Sequence, residues 1–336
     1  MKRALCIVAA VLVVAAVGGC QKSEPTKKVA PLMVGMVFDV GGKGDKSFND
    51  SAYRGLLNAA DAFGVEFAEF EPGQDADRET GLRKLAQAGY DVIVGVGFLF
   101  SDAMRKVAAD YPDVKFACVD FDAKPGETLP PNLEGLTFRE EEGSFLVGVI
   151  AGMVSETGRL GFVGGMNIPL IHKFEAGYVA GAKYANPDVS VTVAYAGATP
   201  QAFADPAKGK ELALLQYGRG VDVIYHASGS TGNGVIEAAK ETGKYAIGVD
   251  SNQNYMAPGK VLTSMIKRVD NAVYMTIQSV LDGTFKGGLR EFGLAEDGVG
   301  YAVDEYNETL ITEEIRAKVE DAKARIIAGE IAVPKS

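Results

Sequence analysis

The chain has 336 residues, 47% of them hydrophobic, which is enough to bury a substantial core and long enough for two domains. Its formal charge of −10 argues against general nucleic-acid binding. With two histidines, His172 and His226, no cysteine pair at metal-binding spacing and no Gly-x-Ser-x-Gly elbow, enzyme signatures are thin, and neither catalysis, a metal nor a cofactor is expected.

In chain order, Lys2 and Arg3 precede the apolar run "ALCIVAAVLVVAAV" and then "GGC". This resembles a bacterial lipoprotein signal over residues 1–19, with Cys20 acylated as the mature N-terminus and Val17 and Gly19 fitting the pattern. The run is shorter than the roughly 20 residues of a spanning helix, so membrane attachment through lipid is expected. Cleavage would remove Lys2 and Arg3 from the 34 bases and leave 32 against 44 acids. "QKSEPTKK" follows without periodicity, so residues 20–31 read as a flexible tether.

From residue 32 short β-branched runs alternate with stretches of helical spacing. The runs are "LMVGMVFDV", "VEFAEFE", "DVIVGVGF", "KFACVDF", "RLGFVGG", "VTVAYAG", "VDVIYHAS" and "YAIGVD". Helical spacing occupies 49–63, 79–88, 101–110, 170–184, 206–217 and 233–242. Such alternation predicts an α/β protein with parallel sheets covered by helices. It restarts near residue 158, after the apolar helix candidate "EEEGSFLVGVIAGMVSE", which predicts two doubly wound domains with a crevice between them. The C-terminal "ITEEIRAKVEDAKARIIAGEI" predicts an amphipathic packing helix, acids first and bases later. Cys118, left alone once Cys6 and Cys20 are accounted for, reads as a buried, inert thiol.

Ligands of doubly wound sheets bind outside the carboxyl ends of the strands, where helix N-termini also point. At the first such end, "FDVGGKGDKSFND" supplies Asp39 and a glycine turn, then Ser47 as an N-cap with Asp50 three residues on. Phe48 and Asn49 then face the crevice. After "VTVAYAG" in the other half, "GATPQAFADPAKGKEL" places Phe203 just before an Asp205-Pro206 helix start. Two such rings suit a flat ligand, at about 1–3 kcal/mol per stack, although each also suits a hydrophobic staple. Asp120 and Asp122 in "CVDFD", Gly229 in "SGSTGNG" and Asp250 in "IGVDSNQ" end further strands, where carboxylates suit vicinal hydroxyls. Lys267 reads either as a donor in the crevice paired with Asp250 or as a solvated surface lysine. His226 reads as a hydrogen-bonded structural residue.

"GMVFDVGGKGDKSFND", "FREEEGSFLVGVIAGMVSETGRLGFVGGMNIP", "DPAKGKE" and "VLTSMIKRVD" together resemble the basic membrane protein family of solute-binding lipoproteins, which includes purine-nucleoside receptors of ABC transporters. The resemblance implies a type I periplasmic-binding-protein fold: two doubly wound parallel-sheet lobes joined by crossover strands. Lobe 1 is expected over 32–138 plus about 251–283, and lobe 2 over about 139–250 plus 284–336. It also implies a nucleoside, more often a purine one, between the lobes. Asp39 and Asn49 would address the base, Phe48 and Phe203 would sandwich it, and Asp250 with Lys267 would hold the ribose; Asp120 and Gly229 are further ligand contacts. The expected protein is a monomer, lipid-anchored at the cell membrane and facing the periplasm or exterior, which delivers its solute to an ABC permease. Another small solute, or an extracytoplasmic nucleoside hydrolase built on clustered aspartates and a metal, is the alternative. Base preference stays open, because "DVGGKGD" and "QAFADPAKG" depart from the family's usual turns.

Overall fold

A computed structural model describes residues 30–336. The expected signal, Cys20 and all but the end of the tether lie outside the described residues. Among those described, no helix is long and apolar enough to cross a membrane.

The β-branched runs form two six-stranded sheets. The first contains β1 (Met33–Val37), β2 (Glu66–Phe70), β3 (Val92–Val96), β4 (Lys115–Val119), β5 (Leu133–Phe138) and β11 (Gly288–Phe292) in the order β11-β5-β4-β3-β1-β2, all parallel. The second contains β6 (Arg159–Met166), β7 (Ser190–Gly197), β8 (Val223–Ala227), β9 (Tyr245–Asp250), β10 (Val261–Lys267) and β12 (Val299–Tyr301) in the order β12-β10-β9-β8-β6-β7. Burial follows position in the sheet. Every residue of the inner strands β3 and β8 is buried, so they read as continuous apolar runs, whereas the edge strands β2 and β7 are half open.

Helices α1 (Phe48–Phe63), α2 (Asp75–Gln87) and α3 (Ser101–Asp110) cover the first sheet, and α5 (Pro169–Ala185), α6 (Pro206–Gly218) and α7 (Thr231–Thr242) the second. The chain changes sheet after β5, after β10 and after β11. The first crossing delivers α4 (Glu140–Val154) onto the second lobe, against α5 and β10, and the second returns α8 (Val269–Leu281) to pack on α1 of the first. Glycines let α4 and α5 touch backbone to backbone: a Cβ on Gly148, Gly152, Gly177 or Gly181 would stand 2.0–2.5 Å from a carbonyl oxygen of the facing helix. The C-terminal helix α9 (Glu313–Ile327) buries its apolar stripe, Ile315, Val319, Ala322 and Ile326, in the cluster that holds Phe145 and Val149 of α4.

The lobe limits differ from expectation at two places. Residues 261–267, expected in lobe 1, form β10 of the second sheet, and 288–292, expected in lobe 2, form β11 of the first. The run "VLTSMIK" announces a strand, but which sheet accepts it is decided by long-range pairing with β9. The second sheet is also not wholly parallel, since β12 runs against β10.

Candidate functional site

The carboxyl ends of both sheets line one cavity with about 560 Å³ free of protein atoms, part of it open to solvent. Asp39, Phe48, Asn49, Asp120, Phe203, Gly229, Asp250 and Lys267 all lie in its wall. Asp122 does not; it is exposed beside Arg105.

On the first lobe the loop after β1 organises itself around Asp45. Its carboxylate, 3% exposed, accepts hydrogen bonds from the backbone N–H groups of Ser47, Asn49 and Asp50. Asp45 therefore does the capping expected of Ser47, whose hydroxyl instead donates to Asp250 Oδ2 at 2.6 Å on the opposite lobe. The expected acidic partner does reach back, Asp50 accepting from Gly44 and Lys46. Asn49 is spent on the same loop: its Oδ1 accepts from the Asp39 N–H and its Nδ2 donates to Asp45.

Asp39 holds the Val40 N–H on Oδ1, and Arg78 stands 3.8 Å from that oxygen. Its Oδ2 accepts no hydrogen bond from the described residues and lies where a Cβ on Gly97 would come within 2.1 Å, so a side chain at 97 would displace it. Burial raises the Asp39 carboxyl to about 7, against the lowering pull of the Val40 N–H and Arg78.

Asp120 and Asp250 end matching strands, β4 and β9, third from one edge of each sheet. Both have left-handed backbone, φ 56° and 63°, a conformation that aspartate tolerates better than most residues. Asp250 is raised to about 7, chiefly by burial, with the Lys267 charge and the Ser47 hydroxyl opposing. Burial also raises Asp120, opposed by Lys267.

Lys267 is 1% exposed, not solvated. Its ammonium pairs with Asp120 at 2.6 Å and Glu140 at 3.0 Å rather than with Asp250, and lies within 5.5 Å of the ring centres of Phe48, Phe138 and Phe174. These carboxylates outweigh burial and hold it protonated. Lys173 of α5 extends the network, donating to Glu140 and to the carbonyl of Phe138 at the first crossing.

Phe203 closes a short turn, Pro200–Phe203, and lies against Gly165 of β6, where a Cβ would be 2.2 Å from the ring. Gly229 (φ 56°) packs on the same turn. Across the lobes Phe203 meets not Phe48 but Phe98, edge to face, with ring centres 6.5 Å apart. Phe48 opens α1 and leans on the core, as a staple does, while still lining the cavity.

Sequence reasoning passed over Phe98, Leu170, Ile171 and Phe174. Phe98 had a signal, since it follows β3 at a strand end. The three on α5 had none, because their apolar spacing reads as ordinary core. His226 is structural: fully buried, it bonds Gln253, and burial lowers it to about 4. Cys118 is buried with its thiol pushed up by desolvation. Among the described residues no group of three His, Cys, Asp or Glu side chains could hold a metal ion.

Residues 32–336 match the family model described as ABC transporter substrate-binding protein PnrA-like. The chain is 39% identical to basic membrane protein A of Borreliella burgdorferi, over 87% of this chain and 85% of that protein. It is 40% identical to an uncharacterized lipoprotein of Pyrococcus abyssi, over 84% and 71%. Among solved structures, an ABC transporter solute-binding protein from Aeropyrum pernix K1 superposes with TM-score 0.82 at 34% identity, over 91% of this chain and 94% of that one.

Proposed function

The chain belongs to the family of PnrA-like ABC transporter substrate-binding proteins, and from that premise we propose that its solute is a purine nucleoside, held between the lobes and passed to an ABC permease by a lipid-anchored, extracytoplasmic receptor. The observation that carries this reading is the wall of the cavity, where phenylalanine rings from both lobes stand among carboxylates at strand ends. A nucleoside has a flat face for the rings and vicinal hydroxyls for the acids. The lipid anchor rests on the "VGGC" signal and on relatives named as lipoproteins.

Asp39 refines the choice of base. An ionised carboxylate only accepts, which suits the N1–H of hypoxanthine and guanine. Adenine presents an acceptor at N1 and offers the ionised acid only its 6-amino group. The group sits near its midpoint at neutral pH, so inosine and guanosine are favoured on its alkaline side. Asp250, with the Lys267 ammonium close enough to act on it, is the ribose contact.

The test is calorimetric titration of soluble protein beginning at Gln21, stripped of ligand, with inosine, guanosine, adenosine, uridine and free ribose. One-to-one binding of purine nucleosides without turnover is expected. Silence across the panel overturns the nucleoside and leaves the fold and family standing.

A further inference from the structure

Four lobe 2 side chains, none of them in the cavity wall except Asp250, converge on three consecutive residues of lobe 1. Asn233 Nδ2 donates to the carbonyl of Asp45 at 3.2 Å, and Gln253 Nε2 to that of Lys46 at 3.1 Å. Ser251 Oγ donates to the carbonyl of Ser47 at 2.8 Å, while the Ser47 hydroxyl donates to Asp250. The receiving turn is rigid: Asp45 ties it to the start of α1, and Lys46 is held at φ 60°.

Gln253 is aimed in advance. It is fully buried, its Oε1 takes the Val249 N–H and faces the His226 ring, and its backbone N–H donates to Ser264. Only its amide N–H groups remain, and they point across to the other lobe. Every one of these bonds joins one protein group to another.

We propose that the turn Asp45–Ser47 is a latch, closing the lobes through protein–protein hydrogen bonds so that the ligand-free protein already populates the closed form. Ligand then selects and holds a state that exists beforehand, and its apparent affinity scales with the closed fraction. The inference concerns closure and stands whatever solute the cavity takes.

The experiment compares the unaltered protein with Asn233→Ala, Ser251→Ala and the double variant, none of which replaces a cavity-lining residue. Small-angle scattering without ligand is expected to give a larger radius of gyration for the double variant than for the parent, with the single variants between them and all four melting cooperatively. Calorimetry is expected to show every purine nucleoside weakened by one common factor, about fivefold in the double variant, as the loss of two modest hydrogen bonds from a closing equilibrium predicts. A parent as open as the double variant overturns the latch, and so does a loss that differs from one nucleoside to the next. If no nucleoside binds, the function proposed above fails while the scattering still decides the latch.

Discussion

The two halves of the cavity wall are built from different chemistry. Lobe 1 brings Asp39, Asp45, Asn49 and Asp120 with two rings, whereas lobe 2 brings Leu170, Ile171, Phe174 and Phe203 with two charged groups, Asp250 and Lys267. Those two are both engaged by lobe 1, Asp250 by Ser47 and Lys267 by Asp120. Lobe 1 therefore carries more of the polar groups of the wall, and lobe 2 supplies an apolar cover whose charges tie it to lobe 1.

The largest break in this arrangement comes from Lys267→Met, which leaves Asp120 and Glu140 buried without their shared cation. A loss of about 3–5 kcal/mol in urea unfolding is expected, as for other buried pairs stripped of one partner. A loss under about 1 kcal/mol would mean that the carboxylates simply take up protons.

Phe203→Ala tests the cover itself. It should weaken nucleoside binding at least about tenfold, in line with a lost stack, with little change in melting. An unchanged affinity removes the ring from the site. Asp250→Asn divides base from sugar: ribosides should lose about tenfold or more and free bases much less, consistent with one charged hydrogen bond of about 1.5–3 kcal/mol. Equal losses would contradict the ribose assignment.

A pH series is the most diagnostic of the buried carboxylates that the two lobes bring to the cavity. Asp39 and Asp250 titrate near 7 in the folded, ligand-free protein, above their ordinary 3.8. The folded chain thus holds protons that the unfolded chain releases, so unfolding free energy should fall as pH rises from about 4 to 7. Inosine binding should slope the other way. It draws on the two ionised acceptors and should weaken by up to about tenfold per unit for each of them as pH drops below 7. Parallel slopes for stability and affinity would exclude these carboxylates as ligand acceptors.

Much of this was legible from local pattern. The eight quoted strand runs and six helical stretches each correspond to an element, because period and capping are local properties. The eight residues named for the cavity all line it, since strand ends and helix starts tell where a doubly wound sheet presents its groups. What failed depended on partners distant in sequence. Ser47 leaves its own helix for an acid 203 residues away, Lys267 is buried because Asp120 and Glu140 come to it, and β10 joins a sheet that its own residues do not name.

The exchange of α4 and α8 between the lobes bears on how the polypeptide can be made and cut. At the ribosome the first sheet lacks both its edge strand β11 and the helix that packs on α1 until synthesis has passed residue 292. Neither lobe is a contiguous stretch that a truncation could release intact. A stop codon after β10 would leave one lobe without its outer strand and the other without its antiparallel edge, so native structure is postponed until nearly the whole chain is available.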